Sequence, residues 1–383
     1  MAGLYIHIPF CASRCIYCNF YSTTSLKLRQ RYVDAVCREM SLLPAPSKER
    51  GSIDTIYLGG GTPSQLTPDQ LRQLFLYINK VYENQAVEVT IEMNPDDVTP
   101  EFAAILSQLG VNRVSMGAQT FDDKRLRFLH RRHTTAQVQQ AVKILRDAGI
   151  GNISIDLMYG FPGETLDDWQ RDIEAALSLD VEHISAYCLM VEEGTPLAKM
   201  MHNGDCPSCE ERSGLQGDCP LHEELERQMY ELLIDKLTAA GYEHYEISNF
   251  AKPGYRSRHN SSYWNDTPYV GLGAAAHSYD GHCRSWNVAD IHQYIEAIER
   301  GELPSEQEEI DGDTHYNDRI TVALRTSDGL DLTTLSDRHR HYCMKEAQRF
   351  LDDGLLQLCD NRLSLTRKGL FVSDYIMSSL IMV

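Results

Sequence analysis

The chain has 383 residues and carries 36 Lys and Arg against 55 Asp and Glu, which gives a formal net charge of −19. Its 42% hydrophobic and 24% charged residues are ordinary for a globular protein and exclude disordered, collagen-like and coiled-coil classes. Such acidity disfavours nucleic acid as a partner, because negative charge repels phosphates. No apolar run approaches the roughly 18 residues of a transmembrane helix. The N-terminus lacks a basic, apolar leader and the 11 cysteines are odd in number, so we expect a reduced, cytoplasmic protein.

Six short apolar runs alternate with amphipathic stretches in the first part of the chain, at residues 4–9, 53–61, 87–94, 111–120, 153–160 and 183–191. Runs of this length and composition are typical of buried parallel strands. Helix starts lie between them: Thr67, Pro68 and Gln70 supply an N-cap, a proline in the first turn and a capping-box glutamine, and Thr165 begins a similar pattern. Six β–α repeats predict a parallel sheet, either open or closed into a full or partial barrel.

The rest of the chain divides by composition. Residues 203–220 are dense in Gly, Cys, Ser and charge and are interpreted as an inserted loop, followed by a helix over about 222–240 and an acidic linker over 302–313. We therefore predict a barrel of β–α repeats over 1–240, an extension of it over 241–305 and a small C-terminal domain over 306–383.

Polar and glycine-rich residues stand at the carboxyl ends of the predicted strands. They are Gly60, Gly61 and Thr62 after the second strand, Glu92 and Asn94 at the end of the third, Gln119 at the end of the fourth and Asp156 in the fifth. In β/α barrels the active site is built at that edge. The pattern therefore predicts one organised site.

Three cysteines, Cys11, Cys15 and Cys18, follow the first strand with the spacing Cys-x3-Cys-x2-Cys. Core packing does not explain three thiols in one short loop. Iron–sulfur clusters are held by cysteine thiolates, normally four, so three would leave one iron open to another ligand. Tetrahedral zinc is the alternative, but the nearest histidine is His7, inside the strand.

Together with the preceding segment from Tyr5 to Phe10, this spacing resembles the signature of radical S-adenosylmethionine (SAM) enzymes. The chain is most similar to the subgroup that contains oxygen-independent coproporphyrinogen III oxidase and the haem chaperones of the HemW family, over all but the 203–220 insertion. The resemblance implies a partial (β/α)6 barrel with a small α-rich C-terminal domain. It also implies a [4Fe-4S] cluster whose open iron is chelated by SAM, and electron transfer that cleaves SAM into methionine and a 5′-deoxyadenosyl radical.

The resemblance carries over to individual positions. One group matches the family's contacts with the first SAM: Tyr5, Gly60, Gly61, Thr62 and Glu92. Another matches positions around a second SAM in the oxidase: Tyr17, Gln119, Arg131 and Asp156. From the residues alone, Arg131 could equally belong to a solvated helix face, and Asp156 could cap a neighbouring helix.

Two departures from the oxidase pattern favour the chaperones. The oxidase has a fourth cysteine two residues after the third, where this chain has Phe20, and it has an extension before the first strand. A positive feature is His259-Asn260-x2-Tyr263-Trp264, which resembles a motif typical of the HemW family and implicated in haem binding. His259 is therefore a candidate haem ligand, although a hydrogen-bonded structural histidine is the ordinary alternative.

His277 and Cys283 are lesser candidates for haem ligation. The leading hypothesis is a chaperone that binds haem and delivers it to acceptors such as respiratory haemoproteins. The alternatives are a coproporphyrinogen oxidase and a radical SAM enzyme with another substrate. A homodimer is an assembly that the resemblance allows.

A second cysteine group lies in the insertion. Cys206, Cys209 and Cys219, with His222 three residues further on, have spacing close to that of a small zinc site. A loop with incidental thiols is the alternative.

Overall fold

The computed structural model describes residues 2–43, 53–82, 84–203 and 223–382. The predicted zinc site at Cys206, Cys209, Cys219 and His222 lies outside these residues. No helix in the described ranges combines the length and apolarity needed to cross a bilayer.

The six predicted strands form, and they pair in parallel in chain order. They are β1 (Ala2–Ile8), β2 (Ile53–Gly60), β3 (Asn84–Met93), β4 (Arg113–Gln119), β5 (Asn152–Tyr159) and β6 (His183–Cys188). On β1, Leu4, Ile6 and Ile8 are fully buried in the core shared with the helices. Tyr5 and His7 alternate with them and face the inner side of the sheet, as the two-residue period of a strand requires.

Helices connect successive strands on the outer side. They are α1 (Arg29–Leu42), α2 (Pro68–Val81), α3 (Pro100–Gln108), α4 (Asp123–Phe128), α5 (Thr135–Asp147) and α6 (Leu166–Ser178). The predicted capping box at Thr67 and Gln70 begins α2, and Thr165 begins α6 with a box closed by Asp168. Local capping chemistry therefore fixed both helix starts.

After β6 the chain runs through α7 (Pro196–Asn203) and α8 (Glu223–Ala239) and then extends both edges of the sheet. The added strands are β7 (Glu243–Glu246), β8 (Asn249–Ala251), β9 (Tyr269–Leu272), β10 (His277–Tyr279), β11 (Cys283–Asn287) and β12 (Ser305–Glu309). The order is β12-β11-β10-β9-β1-β2-β3-β4-β5-β6-β8-β7, so among the described residues the outermost strands do not pair and the barrel is partial.

Two helices complete this region, α9 (Arg258–Trp264) and α10 (Ile291–Arg300). The linker expected over 302–313 is wrong in part, because β12 lies there and pairs antiparallel with β11. All five side chains of β12 are exposed, and three of them are glutamates. Charge on an exposed edge strand discourages pairing with another sheet, which accounts for the acidic composition without a linker.

The C-terminal residues form a small domain with its own core, made mainly by Tyr316, Ile320, Phe350, Leu363 and Ile376. Its elements are α11 (Gly312–Ala323), β13 (Leu330–Asp331), α12 (Asp337–Asp352), β14 (Leu356–Cys359), β15 (Arg362–Leu365), α13 (Arg367–Leu370) and α14 (Ser373–Leu380). The three strands pair in the order β13-β15-β14. An ion pair of 2.9 Å between Arg325 and the buried Glu246 ties this domain to β7.

Candidate functional site

The loop after β1 is held closed at its base. The Cys11 N–H donates to the Thr23 carbonyl at 2.9 Å, and the Thr23 N–H donates to the Pro9 carbonyl at 2.7 Å. Midway along the loop, the buried Ile16 packs with Leu129 and Leu197 in a small apolar cluster. The sequence between the cysteines therefore anchors the loop, while Cys15 and Cys18 stay partly exposed and Cys11 is buried at the base of the loop.

Cys11, Cys15 and Cys18 are free thiols that line one cavity. Burial raises the pKa of the Cys11 and Cys18 thiols. Within the described ranges, no three His, Cys, Asp or Glu side chains converge so as to hold a single metal ion. In a cubane cluster each thiolate binds a different iron, so the thiols need not meet at one point. This donor set fits a cluster better than a single zinc ion.

His7, the remaining partner in the zinc alternative, is already engaged. Its Nδ1 lies 3.1 Å from the Tyr5 hydroxyl and its Nε2 lies 3.1 Å from the Tyr21 carbonyl oxygen. Burial lowers the pKa of His7, so the ring is neutral. A metal would have to displace one of these two contacts.

The cavity beside the cysteine loop has a volume of about 660 Å³. It lies at the carboxyl ends of the strands, as predicted, and is within the usual size range of a ligand pocket. The predicted residues that line it are Cys11, Cys15, Tyr17, Cys18, Gly60, Gly61, Thr62, Glu92, Gln119, Arg131 and Asp156. Tyr5 and His259 lie elsewhere. Burial raises the pKa of Tyr17, which stays a neutral phenol.

The glycine segment packs against the end of β1. At Gly60, where φ is +107°, a Cβ would lie 2.5 Å from the His7 ring, and at Gly61 it would lie 2.7 Å from the Pro9 backbone. Glycine is thus required by the fold itself at both positions. The Thr62 hydroxyl, next in the chain, lies 3.6 Å from the Cys11 sulfur.

Glu92 is a partly buried carboxylate at the base of the cavity. One oxygen accepts from the Tyr57 hydroxyl at 2.8 Å and the other from the Gly60 N–H at 3.0 Å. Burial raises the pKa of Glu92 to about 7, although those two hydrogen bonds act to lower it. A cationic ligand beside it would favour the ionised form, which suits the sulfonium and ammonium groups of SAM.

Arg131 reaches the cavity from the segment after α4, so the solvated-helix alternative is wrong. Its guanidinium lies 3.5 Å from the Cys15 sulfur and donates to the Asn94 side chain at 2.7 Å and to the Gly117 carbonyl at 2.6 Å. Its Nε is buried without a partner among the described residues. This unpartnered nitrogen lies beside the free thiols, and an anionic ligand group there would accept its hydrogen bond.

Sequence reasoning placed Asn94 among the polar residues at the strand ends but gave it no role, and it omitted Gly117. Asn94 lines the cavity, as its position at the end of the third predicted strand indicates. At Gly117 a Cβ would lie 2.6 Å from Gln119 Nε2 and 3.0 Å from Arg131 Nη2. A glycine inside a strand indicates such close approach, so it also could have been found.

Asp156 lies on β5 and its side chain lines the cavity on the inner side of the sheet. Among the described residues it does not cap a helix. The Ser115 hydroxyl donates to it at 3.3 Å, and burial raises its pKa against hydrogen bonds from Ser185 and Ser115. Gln119 lies nearby with φ of +67°, a left-handed conformation that is uncommon for glutamine. The lining of the cavity thus includes the carboxylates of Glu92 and Asp156, the Arg131 guanidinium and the thiols of Cys11, Cys15 and Cys18.

His259 lies in α9, at the amino-terminal end of the strands and away from the cavity. It is 1% exposed, its Nδ1 lies 2.9 Å from the Thr55 hydroxyl, and its Nε2 lies 2.8 Å from the Tyr263 hydroxyl. We call the group formed by His259, Tyr263, Thr55 and Glu88 the floor. A haem iron could bind His259 only if one of these hydrogen bonds opened, so its role as a ligand stays a prediction.

The lesser candidates lie on the extended edge of the sheet, His277 on β10 and Cys283 on β11. The His277 ring packs beside Trp286 with centroids 6.2 Å apart. Neither residue lines the cavity.

Comparison with known proteins identifies two family matches. The model of the radical SAM superfamily matches residues 5–176, and that of the HemN C-terminal domain matches residues 310–372. A heme chaperone HemW of Bacillus subtilis is 36% identical over 96% of this chain and 96% of its own length. A heme chaperone HemW of Mycobacterium tuberculosis is 34% identical over 99% of this chain and 94% of its own length.

Among solved structures, coproporphyrinogen III oxidase (HemN) from Escherichia coli superimposes with a TM-score of 0.81 over 100% of this chain and 90% of that one. The identity is 21%, so this likeness shows a shared fold. It confirms the α/β architecture with a C-terminal domain. The chain belongs to the HemW family of radical SAM proteins, a family that implies a [4Fe-4S] cluster and SAM.

Proposed function

We propose that this member of the HemW family is a haem chaperone, which binds haem and passes it to acceptor haemoproteins, respiratory ones among them. The observation that carries the proposal is identity of 34–36% with heme chaperones over nearly the whole length of both chains. Similarity that spans barrel, extension and C-terminal domain favours a shared activity over a shared fold. We further propose a cytoplasmic location, and a homodimer stays a prediction.

The resident cofactors proposed are a [4Fe-4S] cluster held by Cys11, Cys15 and Cys18, and SAM on the open iron. When bound and reduced, they supply the chemistry of SAM cleavage to a 5′-deoxyadenosyl radical. Around them the chain positions fixed charges. Glu92 would bind the cationic part of SAM, and the Arg131 guanidinium would stabilise thiolate at Cys15, from which it lies 3.5 Å.

The backbone and the remaining side chains would orient SAM. Gly60, Gly61 and Thr62 form the turn that brings backbone close to Glu92, and Tyr5 lies below it on the inner side of the sheet. Gln119, Asp156 and Tyr17 line the opposite wall of the cavity, where a second SAM is a further proposal.

Haem is cargo in this proposal, and the rim of the cavity offers a surface for it. Phe20 is 70% exposed, Met190 is 66% exposed and Tyr187 is 46% exposed, and all three line the cavity. Exposed apolar residues grouped around a cavity indicate a binding surface. A flat porphyrin would cover them, and Arg14 on the same rim would pair with a propionate.

The coproporphyrinogen oxidase alternative has less support. Phe20 occupies the position of the fourth cysteine in the oxidase pattern, and the similarity to the solved oxidase extends to fold alone. We therefore expect haem binding without decarboxylation.

The test uses the full chain with its cluster reconstituted anaerobically. Haem is titrated and followed by its Soret band, and the loaded protein is mixed with an apo-haemoprotein to follow transfer. In parallel, coproporphyrinogen III, SAM and a reductant are added and the vinyl product is sought by chromatography. Stoichiometric haem binding with transfer and no product supports the proposal. Vinyl product, or failure to bind haem with an intact cluster, would overturn it.

A further inference from the structure

We infer that His259 is a positioning residue for Glu92, acting through the Tyr57 ring that lies between them. The inference rests on the proposed SAM site and adds a role for the histidine motif that differs from haem ligation. It joins the floor to the cavity through side chains on β2 and β3.

The helix that carries His259 is fixed to the strands at its first turn. The backbone N–H groups of Arg258 and His259 both donate to the Glu88 carboxylate, each at 2.9 Å, and the Ser257 side chain caps the Asn260 N–H. A carboxylate at a helix N-terminus binds the unpaired N–H groups and the positive end of the helix dipole. His259 therefore has a defined place beneath β1 and β2.

The imidazole is held from two sides and stacked on a third. Thr55 and Tyr263 occupy its two nitrogens, and its ring lies on the Tyr57 ring with centroids 5.1 Å apart and planes 27° apart. The Tyr5 ring stacks on it at 6.4 Å. At Gly3 a Cβ would lie 3.1 Å from the imidazole, so there is no free space between β1 and that side of the ring.

Tyr57 transmits this placement to the cavity. Its hydroxyl donates to Glu92 at 2.8 Å, and the other Glu92 oxygen is held by Gly60. Tyr57 is buried, and its ring has the histidine on one face. Without the imidazole, the Tyr57 ring would lose its support and Glu92 would lose one of its two hydrogen bonds.

The surroundings keep the imidazole neutral. Burial, with the nearby Arg113 guanidinium, lowers the pKa of His259 to about 3. The phenols packed against it are those of Tyr5, Tyr57 and Tyr263, and burial raises the pKa of each; the Glu88 carboxylate accepts the backbone N–H of His259. A neutral ring with both nitrogens bonded is suited to packing and positioning.

The experiment compares two substitutions of one residue in the reconstituted full chain. His259→Ala removes the ring, whereas His259→Phe keeps an aromatic ring against Tyr57 but has no nitrogen to bind iron. SAM affinity is measured by calorimetry and by the change that SAM causes in the electron paramagnetic resonance spectrum of the reduced cluster. Haem affinity is measured on the same samples. Ser261→Ala is the matched control, because Ser261 belongs to the same helix but lines a different pocket, shared with residues of the C-terminal domain.

We expect the Kd for SAM to rise at least tenfold in His259→Ala and to stay within threefold of the parent in His259→Phe and Ser261→Ala. Tyr57→Phe, which keeps the ring and removes the bond to Glu92, should weaken SAM at least tenfold as well. Adding His259→Ala to Tyr57→Phe should then cost little more, since residues that act through one another are not additive.

Two results would overturn the inference. They are unchanged SAM affinity in His259→Ala and multiplied losses in the double variant. Iron content and circular dichroism identify a variant that has failed to fold; if His259→Ala is one, Tyr57→Phe carries the test, and unchanged SAM affinity in it would overturn the inference. If the parent binds no SAM, the proposed function has failed and not this inference.

Discussion

The cavity and the floor lie at opposite ends of the same strands and treat polar groups differently. At the cavity the thiols are free and the Arg131 Nε has no partner among the described residues. At the floor, Thr55 is bonded to His259, and Glu88 accepts two backbone N–H groups of α9. Since a buried polar group without a partner costs free energy, the unpaired Arg131 Nε at the cavity indicates a place that a ligand would complete.

The difference separates two kinds of prediction. Residues of the cavity should change the binding of cofactors with little effect on folding, because their partners are ligands. Residues of the floor should mainly change the stability of the fold, because their partners are other parts of the chain. His259 is the exception, since its ring also supports Tyr57 and its loss should weaken SAM binding as well. Strand β2 carries both kinds, with Thr55 at one end and Gly60 at the other.

The largest effect is expected from the cysteine loop. Cys15→Ser should reduce the iron content and the visible absorbance of the reconstituted protein to background, since a cluster with two thiolates is not held. The midpoint of urea unfolding of the cluster-free chain should not change. Cys359→Ser, which alters an exposed thiol of the C-terminal domain, serves as the control. A variant with full iron content would place the cluster elsewhere.

Glu92 should give SAM binding a pH dependence. Its pKa of about 7 in the folded chain exceeds its ordinary value of 4.5. Between those values the folded chain holds a proton that the unfolded chain has released, so stability falls as the pH rises through this window. SAM is a cation and favours the carboxylate, so its binding releases this proton below pH 7.

The affinity for SAM should therefore rise by up to about tenfold per unit as the pH increases toward 7, and then level off. Calorimetry across that range measures it, and Glu92→Gln should bind SAM weakly with no step near 7. Tyr57, Asp156 and Arg113 also act on the Glu92 charge. A step that persists in Glu92→Gln would assign the titration to another group or to SAM itself.

The sequence predicted the barrel well because its determinants are local. Each of the six strands is an apolar run and two helix starts are capping motifs, so the parallel pairing of these strands followed from β–α alternation, although their order did not. The edge strand β12 was mistaken for a linker because its five exposed residues carry no hydrophobic pattern, and its pairing with β11 depends on tertiary structure.

The cavity was predicted more completely than the floor. Its residues follow strand ends and match motifs, whereas the packing of His259 on Tyr57 joins positions that are distant in the chain. Nothing in the spacing of His259, Thr55 and Glu88 indicates that α9 returns beneath β2. The motif was visible in the sequence, but its contacts were not.

The rim of the cavity provides an intermediate effect. Phe20→Asp should weaken haem binding by about tenfold, because a carboxylate replaces an apolar surface and repels propionates. SAM affinity and iron content should be unchanged. Val372→Asp, a similar change at an exposed apolar residue outside the cavity, is the control. Equal haem affinity in the two variants would remove the rim from the haem site.

The smallest effects are expected from two matched Thr→Val substitutions, one in the floor and one in the cavity. Thr55→Val leaves one nitrogen of the buried His259 unpaired and should cost about 1–3 kcal/mol in the free energy of unfolding. Thr62→Val loses only a 3.6 Å contact with the Cys11 sulfur and should cost less than about 1 kcal/mol. Urea unfolding of the cluster-free chain measures both.

The effects of these two substitutions on the binding of the cofactors should have the opposite order. Thr62→Val should release iron faster under a chelator, because the hydroxyl lies next to a proposed cluster ligand. Thr55→Val should retain its iron and bind SAM within threefold of the parent, since the stacking of His259 on Tyr57 survives. The opposite result would contradict this comparison: Thr62→Val would cost more unfolding free energy than Thr55→Val, and Thr55→Val would lose iron faster. The polar groups of the cavity would then not be satisfied by ligands, nor those of the floor by the chain itself.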